Sequence, residues 1–489
     1  MTELSTLPVT EIADLVSSRR ASAVEVTRAA LERVARLDGE IHAYLHVDRE
    51  GALAAAAQVD RRVAEDGSSR LPLAGVPIGV KDNLCTRGVR TTCASRILEG
   101  YVPPYDAHVV ERLRAAGAVV IGKLNLDEFA MGSSNENSAF GVVKNPWDTT
   151  RAPGGSSGGA AAATALGLGA ATLGSDTGGS VRQPASCCGV TAIKPTYGRV
   201  SRYGLIAFAS SLDQVGPLTR NMRDAARVLG VIAGRDPRDA TSVDRPVADY
   251  EAECGQALRG LRVGVVRGLA DGCEPAVKQA VQSAIEKLAA LGCETVEVEL
   301  PHQKYALSVY YIVANAEASS NLARYDGMRY GLRVTGDELR DTYNKTRAAG
   351  FGAEVKRRIM LGTYVLSAGY YDALYLKAQK VRTLIRQDYD RAFERCDVIV
   401  TPTAPTAAFK LGEKLADPLT MYMQDIFTLP PSLAGIPAVS VPCGLSAEGL
   451  PLGLQLSAPA FEEARLVRAG HALEAALGYD VHPPRPPGF

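Results

Sequence analysis

The chain has no excess of charge of either sign. Its 489 residues carry 54 Lys and Arg and 54 Asp and Glu, so the formal net charge is zero. This balance excludes a global electrostatic attraction to nucleic acid, although it leaves room for a local basic patch. If the function involves RNA, we expect another chain to provide most of the RNA-binding surface.

The sequence also shows no Cys-x-x-Cys pair, no secretory signal pattern and no apolar run of membrane length. The nine cysteines are scattered without a Cys-x-x-Cys pair, which argues against a disulfide framework and a zinc cluster and favours a reducing compartment. The N-terminus has no basic segment followed by an apolar stretch. The least polar segment, 158–174, is rich in Ala and Gly and shorter than the roughly 20 apolar residues of a membrane span. We therefore expect a cytoplasmic protein with no membrane partner.

Nucleotide-binding motifs are also missing. The Gly-Gly-Ser-Ser-Gly-Gly segment at 154–159 has no P-loop lysine. A partial G-x-G-x-x-A pattern that begins at Gly167 lies late in its predicted helix, not at the helix start. We expect no nucleotide, metal ion or other cofactor to be held by this chain.

The most informative stretch is 153–185, where two serines stand in tight glycine frames. Ser156 lies within Gly-Gly-Ser-Ser-Gly-Gly, and Ser180 ends the segment Asp-Thr-Gly-Gly-Ser. Glycines let a backbone turn sharply and approach a ligand, and they let peptide N–H groups converge on one point, as an oxyanion hole requires. A third feature lies upstream, where Lys81 ends the apolar run 71–80.

A lysine at the end of a buried strand can act as a base only if it loses its charge. Burial lowers a lysine pKa by up to about 3–5 units, which is enough to give a neutral amine near pH 7. Lys81, Ser156 and Ser180 therefore suggest a Ser–Ser–Lys nucleophile system, whose reaction class is acyl transfer from an amide or an ester.

Spacing alone leaves other interpretations open. Most lysines are solvated, so position 81 considered by itself favours a surface lysine. The serines could belong to a flexible Gly/Ser linker, although their flanks are not of low complexity. A Ser-His-Asp triad is also open, but none of the six histidines is near either serine in the sequence.

The order of apolar segments predicts an α/β fold. Residues 73–81 and 118–121 are predicted strands, and the amphipathic segment between them is a predicted helix, which makes a βαβ unit. A second such unit follows at 261–300, and a long helical region runs from about 305 to 395. Further short strands are predicted at 398–400, 438–441 and 453–456. This order predicts a largely parallel sheet, with no linker long enough to separate domains.

Three motifs together resemble those of the amidase signature family. They are Gly-Val-Lys-Asp-Asn at 79–83, the glycine-framed serines at 154–159, and Gly-Ser-Asp-Thr-Gly-Gly-Ser at 174–180. The intervals between the lysine and the two serines also fit that family. Ala160 and Cys187 depart from its usual residues, but neither is at a proposed catalytic atom. The segments at 131–138, 310–327 and 351–359 narrow the resemblance to members that hydrolyse glutamine within tRNA-dependent amidotransferases.

The resemblance implies a single amidase domain over residues 1–489. Its fold would be α/β, with a large, mixed, mostly parallel twisted sheet covered by helices on both faces. N-terminal helices would occupy 1–70 and the signature core about 71–220. The remainder, 221–489, would complete the sheet and the substrate pocket.

The family also implies roles for the three residues of the nucleophile system. Ser180 would attack the side-chain amide carbon of glutamine. Ser156, held by a cis peptide bond, would bridge Ser180 and Lys81. Lys81 would be the base that accepts the proton through Ser156 and later returns it to the leaving ammonia.

Residues around the nucleophile are implied in the same way. The oxyanion hole would be formed by the backbone N–H groups of Thr177, Gly178, Gly179 and Ser180. Supporting contacts around the triad are implied for Ser157, Asp176 and Arg182. These roles follow from the resemblance alone.

Glutamine as a substrate adds a requirement, because its α-carboxylate and α-ammonium are costly to bury without partners. By resemblance, Arg358 would meet the carboxylate, Asp425 would meet the ammonium, and Tyr310 would close the pocket. Without the family match, Arg358 is better interpreted as a solvated helix charge. The alternative for Asp425 is a helix cap or a surface carboxylate.

The implied function is that of a glutaminase component. It would release ammonia for a partner subunit that converts Glu-tRNA(Gln), Asp-tRNA(Asn) or both to Gln-tRNA(Gln) and Asn-tRNA(Asn). ATP and Mg²⁺ would belong to a partner, charged tRNA would be bound mainly through a partner, and the assembly would be a heterotrimer with subunits B and C. The alternatives are a stand-alone amidase that acts on small amides and a catalytically silent interaction subunit.

Overall fold

One eleven-stranded sheet organises the part of the chain that the computed structural model describes, which is residues 4–65, 71–268, 270–479 and 483. Its strands are β1 (Tyr44–Val47), β2 (Pro77–Lys81), β3 (Val119–Leu124), β4 (Ala171–Asp176), β5 (Thr191–Lys194), β6 (Gln214–Thr219), β7 (Arg262–Val266), β8 (Glu294–Val298), β9 (Val398–Pro402), β10 (Ala438–Leu445) and β11 (Pro451–Ser457). Their order across the sheet is β1-β3-β2-β4-β6-β5-β10-β11-β9-β7-β8.

Helices lie on both faces of this sheet. In chain order they are α1 (Val9–Ser17), α2 (Ala23–Ile41), α3 (Arg49–Glu65), α4 (His108–Ala115), α5 (Gly158–Ala165), α6 (Arg182–Cys188), α7 (Met222–Ile232), α8 (Pro275–Ala290), α9 (Ala306–Asn321), α10 (Leu339–Gly350), α11 (Ala353–Val365), α12 (Lys377–Arg395), α13 (Pro418–Tyr422), α14 (Leu429–Ala434) and α15 (Glu463–Leu477). Every residue of β2, β4 and β6 is buried, because both faces of the central sheet are covered.

The expected mixed sheet is confirmed, but the expectation that it is mostly parallel is wrong. The two predicted βαβ units are present, since β2 pairs with β3 and β7 with β8 in parallel. Among the described residues, however, six of the ten neighbouring strand pairs are antiparallel. Central antiparallel strands such as β6 and β11 are buried throughout, so they lack the alternation that identifies an antiparallel strand in a sequence.

The strand that carries Lys81 is shorter than the sequence predicts. Residues 72–75 form a turn, and β2 begins at Pro77. A proline at the first position of a strand is tolerated because it has no N–H to contribute to the sheet. The register against β3 then shifts between Ile78 and Gly79. Lys81 thus stands at the carboxyl end of an interior strand.

The topology brings the two glycine-framed serines to one edge of the sheet. β2 and β4 are parallel neighbours, so their carboxyl ends lie side by side. α5 begins just after Ser156 and Ser157, and α6 begins just after Ser180. Ligand sites of α/β sheets commonly lie outside the carboxyl ends of the strands, so this edge is where a site is expected.

Two broader expectations concern the whole chain. The division of a single domain at 1–70, 71–220 and 221–489 stays a prediction, and it includes positions outside the described residues. Within the ranges that are described, no helix is both long enough and apolar enough to cross a membrane.

Candidate active site

Lys81 is fully buried and bonded to hydroxyl groups. Its Nζ is 2.8 Å from Oγ of Ser156 and 2.7 Å from Oγ of Ser157, and it also donates to the carbonyl oxygen of Ser175 at 3.3 Å. Burial lowers the pKa of Lys81 to about 7, against the opposing effect of the Asp127 and Asp176 carboxylates. The interpretation of Lys81 as a surface lysine is therefore wrong, and a large fraction of the amine is neutral near pH 7.

The segment before α5 presents Ser156 to the lysine. The peptide bond between Gly155 and Ser156 is cis. The backbone N–H of Gly155 donates to Oε1 of Gln183 at 2.9 Å, and the backbone N–H of Asp127 donates to the carbonyl of Ser156 at 3.2 Å. A segment held at both ends in this way is not a flexible linker.

Asp127 supports this segment, and sequence reasoning missed it. Its carboxylate accepts the backbone N–H groups of Asn135 at 2.9 Å and Asn137 at 3.1 Å. A Cβ on Gly155 would collide with Oδ2 of Asp127 and lie 2.7 Å from the backbone nitrogen of Ser134. Glycine is thus required at 155 for a close approach. Burial raises the pKa of Asp127 to about 6, although the two backbone donors oppose the rise.

Ser180 lies beside the lysine-bonded serines and next to free backbone donors. Its carbonyl accepts the backbone N–H of Ser157 at 3.1 Å, and only 8% of the residue is exposed. Within the described part of the chain, the backbone N–H groups of residues 177–180 have no hydrogen-bond acceptor. Gly179 has a φ of 149°, which an L side chain rarely adopts. Oγ1 of Thr177 donates to Oδ1 of Asp213 at 2.7 Å, which holds one end of this loop.

A buried ion pair closes the loop that carries Ser180. Arg182 donates from Nε and Nη2 to the two carboxylate oxygens of Asp176, each at 3.0 Å. The guanidinium also donates to Oε1 of Gln455 at 2.6 Å and to Oγ of Ser432 at 2.8 Å. Burial alone would raise the pKa of Asp176, but Arg182 outweighs it and holds that pKa below its ordinary value. A bidentate pair of this kind fixes the direction in which the strand leads into the loop.

Arg358 lies close to Tyr310, beside the loop of Ser180. Nε of Arg358 donates to Oε1 of Glu354 at 2.8 Å. Its guanidinium carbon lies 5.2 Å from the ring centre of Tyr311 and 5.4 Å from that of Tyr422. A Cβ on Gly178 would lie 2.6 Å from Cζ of Tyr310, so that ring packs against the proposed oxyanion loop. Because Arg358 is only 2% exposed, the interpretation of this residue as a solvated helix charge is wrong.

Asp425 offers a carboxylate oxygen without a partner. Ser133 donates a short hydrogen bond to Oδ2, whereas Oδ1 is buried and has no hydrogen-bond partner among the described residues. A Cβ on Gly179 would lie 3.1 Å from Oδ1, so this oxygen is close to the loop of Ser180. Burial raises the pKa of Asp425 to about 7, and the Ser133 hydroxyl opposes the rise. The residue is buried, so it is not a surface carboxylate.

The structure therefore gathers the residues that the sequence singled out, and it adds others. Asp127 and Ser133 lie within or beside the 131–138 segment that carried the resemblance, yet neither had a role in the sequence analysis. Thr428, which donates to the carbonyl of Gly178 at 2.7 Å, had no signal in the sequence. Among the described residues, no histidine is hydrogen-bonded to Ser156 or Ser180, and no cluster of three or more His, Cys, Asp or Glu is arranged to hold a metal ion.

This fold and this site define an amidase. The family model described as Amidase matches residues 25–467, and the chain belongs to that family. Full-length relatives narrow the comparison. The chain is 58% identical over 478 residues to the A subunit of glutamyl-tRNA(Gln) amidotransferase from Moorella thermoacetica, with 98% of each chain covered. It is 57% identical over 486 residues to the protein of the same name from Roseiflexus castenholzii, with 99% of this chain and 98% of the relative covered.

Solved structures agree with these relatives. The crystal structure of the corresponding glutamyl-tRNA(Gln) amidotransferase protein from Thermotoga maritima superposes with a TM-score of 0.82 at 43% identity, over 99% of this chain and 98% of that one. The native peptide amidase from Stenotrophomonas maltophilia superposes with a TM-score of 0.83 at 31% identity, over 98% of both chains.

Proposed function

We propose that this chain is the glutamine-hydrolysing component of a tRNA-dependent amidotransferase. One observation carries the proposal. Beside the loop of Ser180 lies a buried carboxylate oxygen of Asp425 that has no hydrogen-bond partner among the described residues, and the buried guanidinium of Arg358 lies close to Tyr310, which packs against the same loop. A free amino acid needs one cation and one anion at its α-carbon, whereas a simple neutral amide needs neither.

The contact of Lys81 with the Ser156 hydroxyl, and the position of Ser180 beside Ser157, support the following chemistry. Oγ of Ser180 attacks the side-chain carbonyl carbon of glutamine, and its proton passes to Ser156 while the proton of Ser156 passes to neutral Lys81. The carbonyl oxygen becomes negative and accepts hydrogen bonds from the free backbone N–H groups of residues 177–180. Collapse of this intermediate breaks the C–N bond, and the proton from Lys81 returns through Ser156 to the leaving ammonia. Water then cleaves the glutamyl ester on Ser180 by the same steps in the same order.

Substrate recognition uses the charges that the pocket leaves available. Nε of Arg358 is occupied by Glu354, and the outer guanidinium nitrogens receive the α-carboxylate. Oδ1 of Asp425 accepts the α-ammonium, and the positive charge there lowers the pKa of Asp425 from about 7. Tyr310 packs over the loop and excludes water from the amide. Glutamine is thus held by both its α-carboxylate and its α-ammonium group.

Three residues position this machinery. Ser157 bonds to Nζ of Lys81 at 2.7 Å and gives its N–H to Ser180. Asp176 and Arg182 brace the loop between β4 and α6 through their bidentate pair. They support the geometry without contact to the substrate.

The relatives' name supports a partner-dependent role. We propose that ammonia passes to a partner in a heterotrimer with subunits B and C, that the partner holds ATP and Mg²⁺, and that it binds most of the charged tRNA. The partner then uses the ammonia to convert Glu-tRNA(Gln), Asp-tRNA(Asn) or both to Gln-tRNA(Gln) and Asn-tRNA(Asn). The zero net charge of the chain is consistent with binding of the tRNA mainly by a partner. We propose that the assembly acts in the cytoplasm.

A stand-alone amidase is the second candidate, because a peptide amidase shares this fold over 98% of both chains. Ammonia release from glutamine separates the two, measured for the isolated chain and after addition of candidate partner chains with charged tRNA. We expect clear stimulation by the partners. Rapid hydrolysis of small amides by the isolated chain, without stimulation, supports the stand-alone amidase. In either assay Ser180→Ala should abolish turnover while the fold persists, and a near-normal rate would refute the nucleophile assignment.

A further inference from the structure

Thr428 is a buried hydroxyl that joins two loops of the proposed pocket. It is fully buried and immediately precedes α14. Its Oγ1 is 2.7 Å from the carbonyl oxygen of Gly178 and 3.0 Å from the carbonyl oxygen of Asp425. The Asp425 carbonyl already accepts the backbone N–H of Thr428 at 2.9 Å. A hydroxyl has one proton to donate, so we assign that proton to the shorter contact with Gly178.

The loop at Gly178 and Gly179 needs such an anchor. Two consecutive glycines can rotate their shared peptide plane at little cost, because neither has a Cβ to restrict φ. Gly179 already has a φ of 149°, in a region that favours glycine. A Cβ at 179 would also collide with Oγ1 of Thr428, so the threonine and the glycine are packed directly against each other.

The anchor has a geometric consequence for catalysis. In a planar trans peptide, the carbonyl oxygen and the following N–H point in opposite directions. The bond from Thr428 to the carbonyl of Gly178 therefore directs the N–H of Gly179 to the other side of the loop. That N–H has no acceptor among the residues that the structure describes.

We propose that Thr428 is a positioning residue for the oxyanion hole, which keeps the N–H of Gly179 directed at the developing negative oxygen. The proposal rests on the proposed function in one respect, namely that residues 177–180 form the oxyanion hole. It adds a residue from a distant part of the chain that never contacts the substrate. Thr428 acts on the transition state and not on glutamine recognition.

Thr428→Val tests the proposal, because it keeps the side-chain shape and removes the hydroxyl. Loss of one oxyanion donor costs about 10²- to 10³-fold in kcat, and a displaced donor costs somewhat less, so we expect a fall of roughly 10- to 100-fold. The fall should be similar for glutamine and for the neutral amide propionamide, with KM nearly unchanged. Thr428→Ser keeps the hydroxyl and should retain most of the activity.

A second readout separates positioning from general damage. An aldehyde inhibitor forms a tetrahedral adduct with Ser180 whose oxyanion occupies the hole, so its affinity should fall in Thr428→Val together with kcat. Binding of glutamate, which forms no such adduct, should be unchanged. If the valine variant does not fold, Thr428→Ala and Thr428→Ser provide the same comparison, because they differ by one hydroxyl.

Two results would overturn the proposal. One is a kcat for Thr428→Val that equals the wild-type value. The other is a loss confined to glutamine with a raised KM, because it would assign Thr428 to the Asp425 turn instead. If wild-type protein hydrolyses propionamide but not glutamine, the proposed function fails, while the propionamide assay still tests Thr428.

Discussion

Two fully buried lysines on adjacent strands have opposite environments. Lys123 on β3 lies 3.1 Å from the Asp82 carboxylate and donates to Thr91 at 2.7 Å. Within the described ranges, Lys81 on β2 bonds to hydroxyl and carbonyl oxygens, which belong to Ser156, Ser157 and the backbone of Ser175. The Lys123 ammonium is compensated by a full negative charge, whereas Lys81 gains by losing its proton. The same residue type is therefore a structural cation on one strand and a candidate base on the next.

Replacement of each lysine by methionine should show the difference between the two lysines most clearly, because one variant should lose activity and the other stability. Lys81→Met should lower kcat by roughly 10²- to 10⁴-fold, as expected when a general base is lost. Lys123→Met leaves Asp82 buried without its cation and should lower the free energy of unfolding by roughly 3–5 kcal/mol.

The stability of Lys81→Met should change in the other direction. The folded-state pKa of Lys81, about 7, is below its unfolded value, so between these two values the unfolded chain binds this proton and the folded chain does not. Loss of the proton on folding costs free energy near pH 7 that methionine avoids. Avoiding this cost alone would raise the free energy of unfolding of Lys81→Met by about 4 kcal/mol near pH 7, and the hydrogen bonds that methionine cannot make offset part of that gain. Denaturant titrations of both variants check this, and a destabilised Lys81→Met that kept wild-type activity would contradict the distinction.

Arg358 and its neighbour Arg357 offer a matched pair in the pocket. Both bond to Glu354, but the Arg358 side chain is 3% exposed and that of Arg357 is 45% exposed. Arg358→Ala should lower kcat/KM for glutamine by roughly 10²-fold, because the α-carboxylate of the bound glutamine loses its ionic partner. Hydrolysis of propionamide, which has no carboxylate, should change little. Arg357→Ala should affect neither substrate appreciably. Equal losses on both substrates in Arg358→Ala would argue against recognition of the carboxylate.

The pH dependence of kcat/KM sharpens the comparison of the two substrates. Lys81 must be neutral to act as a base, so activity should rise with pH through about 7 for any amide. Glutamine also requires ionised Asp425, whose pKa in the free enzyme is about 7. Below that pH, log kcat/KM should therefore climb with a slope near 2 for glutamine and near 1 for propionamide. Identical slopes would remove Asp425 from ammonium binding.

Ser133→Ala should produce the smallest of the expected losses in glutamine use. The Ser133 hydroxyl donates to Oδ2 of Asp425 and opposes the rise of its pKa. Its loss should raise the pKa of Asp425 further and raise KM for glutamine at pH 7 by about 10-fold, the lower end of the roughly 1.5–3 kcal/mol that a hydrogen bond to a charged group contributes. Propionamide is the internal control, and raising the pH should restore glutamine binding. A KM that stays high at pH 9 would contradict this account.

The sequence predicted the functional residues that lie within local motifs. It did not predict the residues that are distant in the chain and contact those motifs only in the folded protein. Ser156 and Ser180 are marked by adjacent glycines, whose missing Cβ atoms the structure requires at 155 and 179. Thr428 approaches Gly178 from 250 positions away, where no local pattern distinguishes it from any other threonine. The fold shows the same limit, because the buried antiparallel strands β6 and β11 have the composition of parallel ones.

The sequence by itself determined where the backbone can turn tightly, where hydroxyls and an amine are available, and to which family the chain belongs. Only the tertiary structure decided which of these groups are charged and which are unpaired. The pKa of Lys81 and the free oxygen of Asp425 depend on how much water and how many opposite charges surround each atom. Those surroundings are assembled from segments far apart in the chain, so they exist only once the chain has folded.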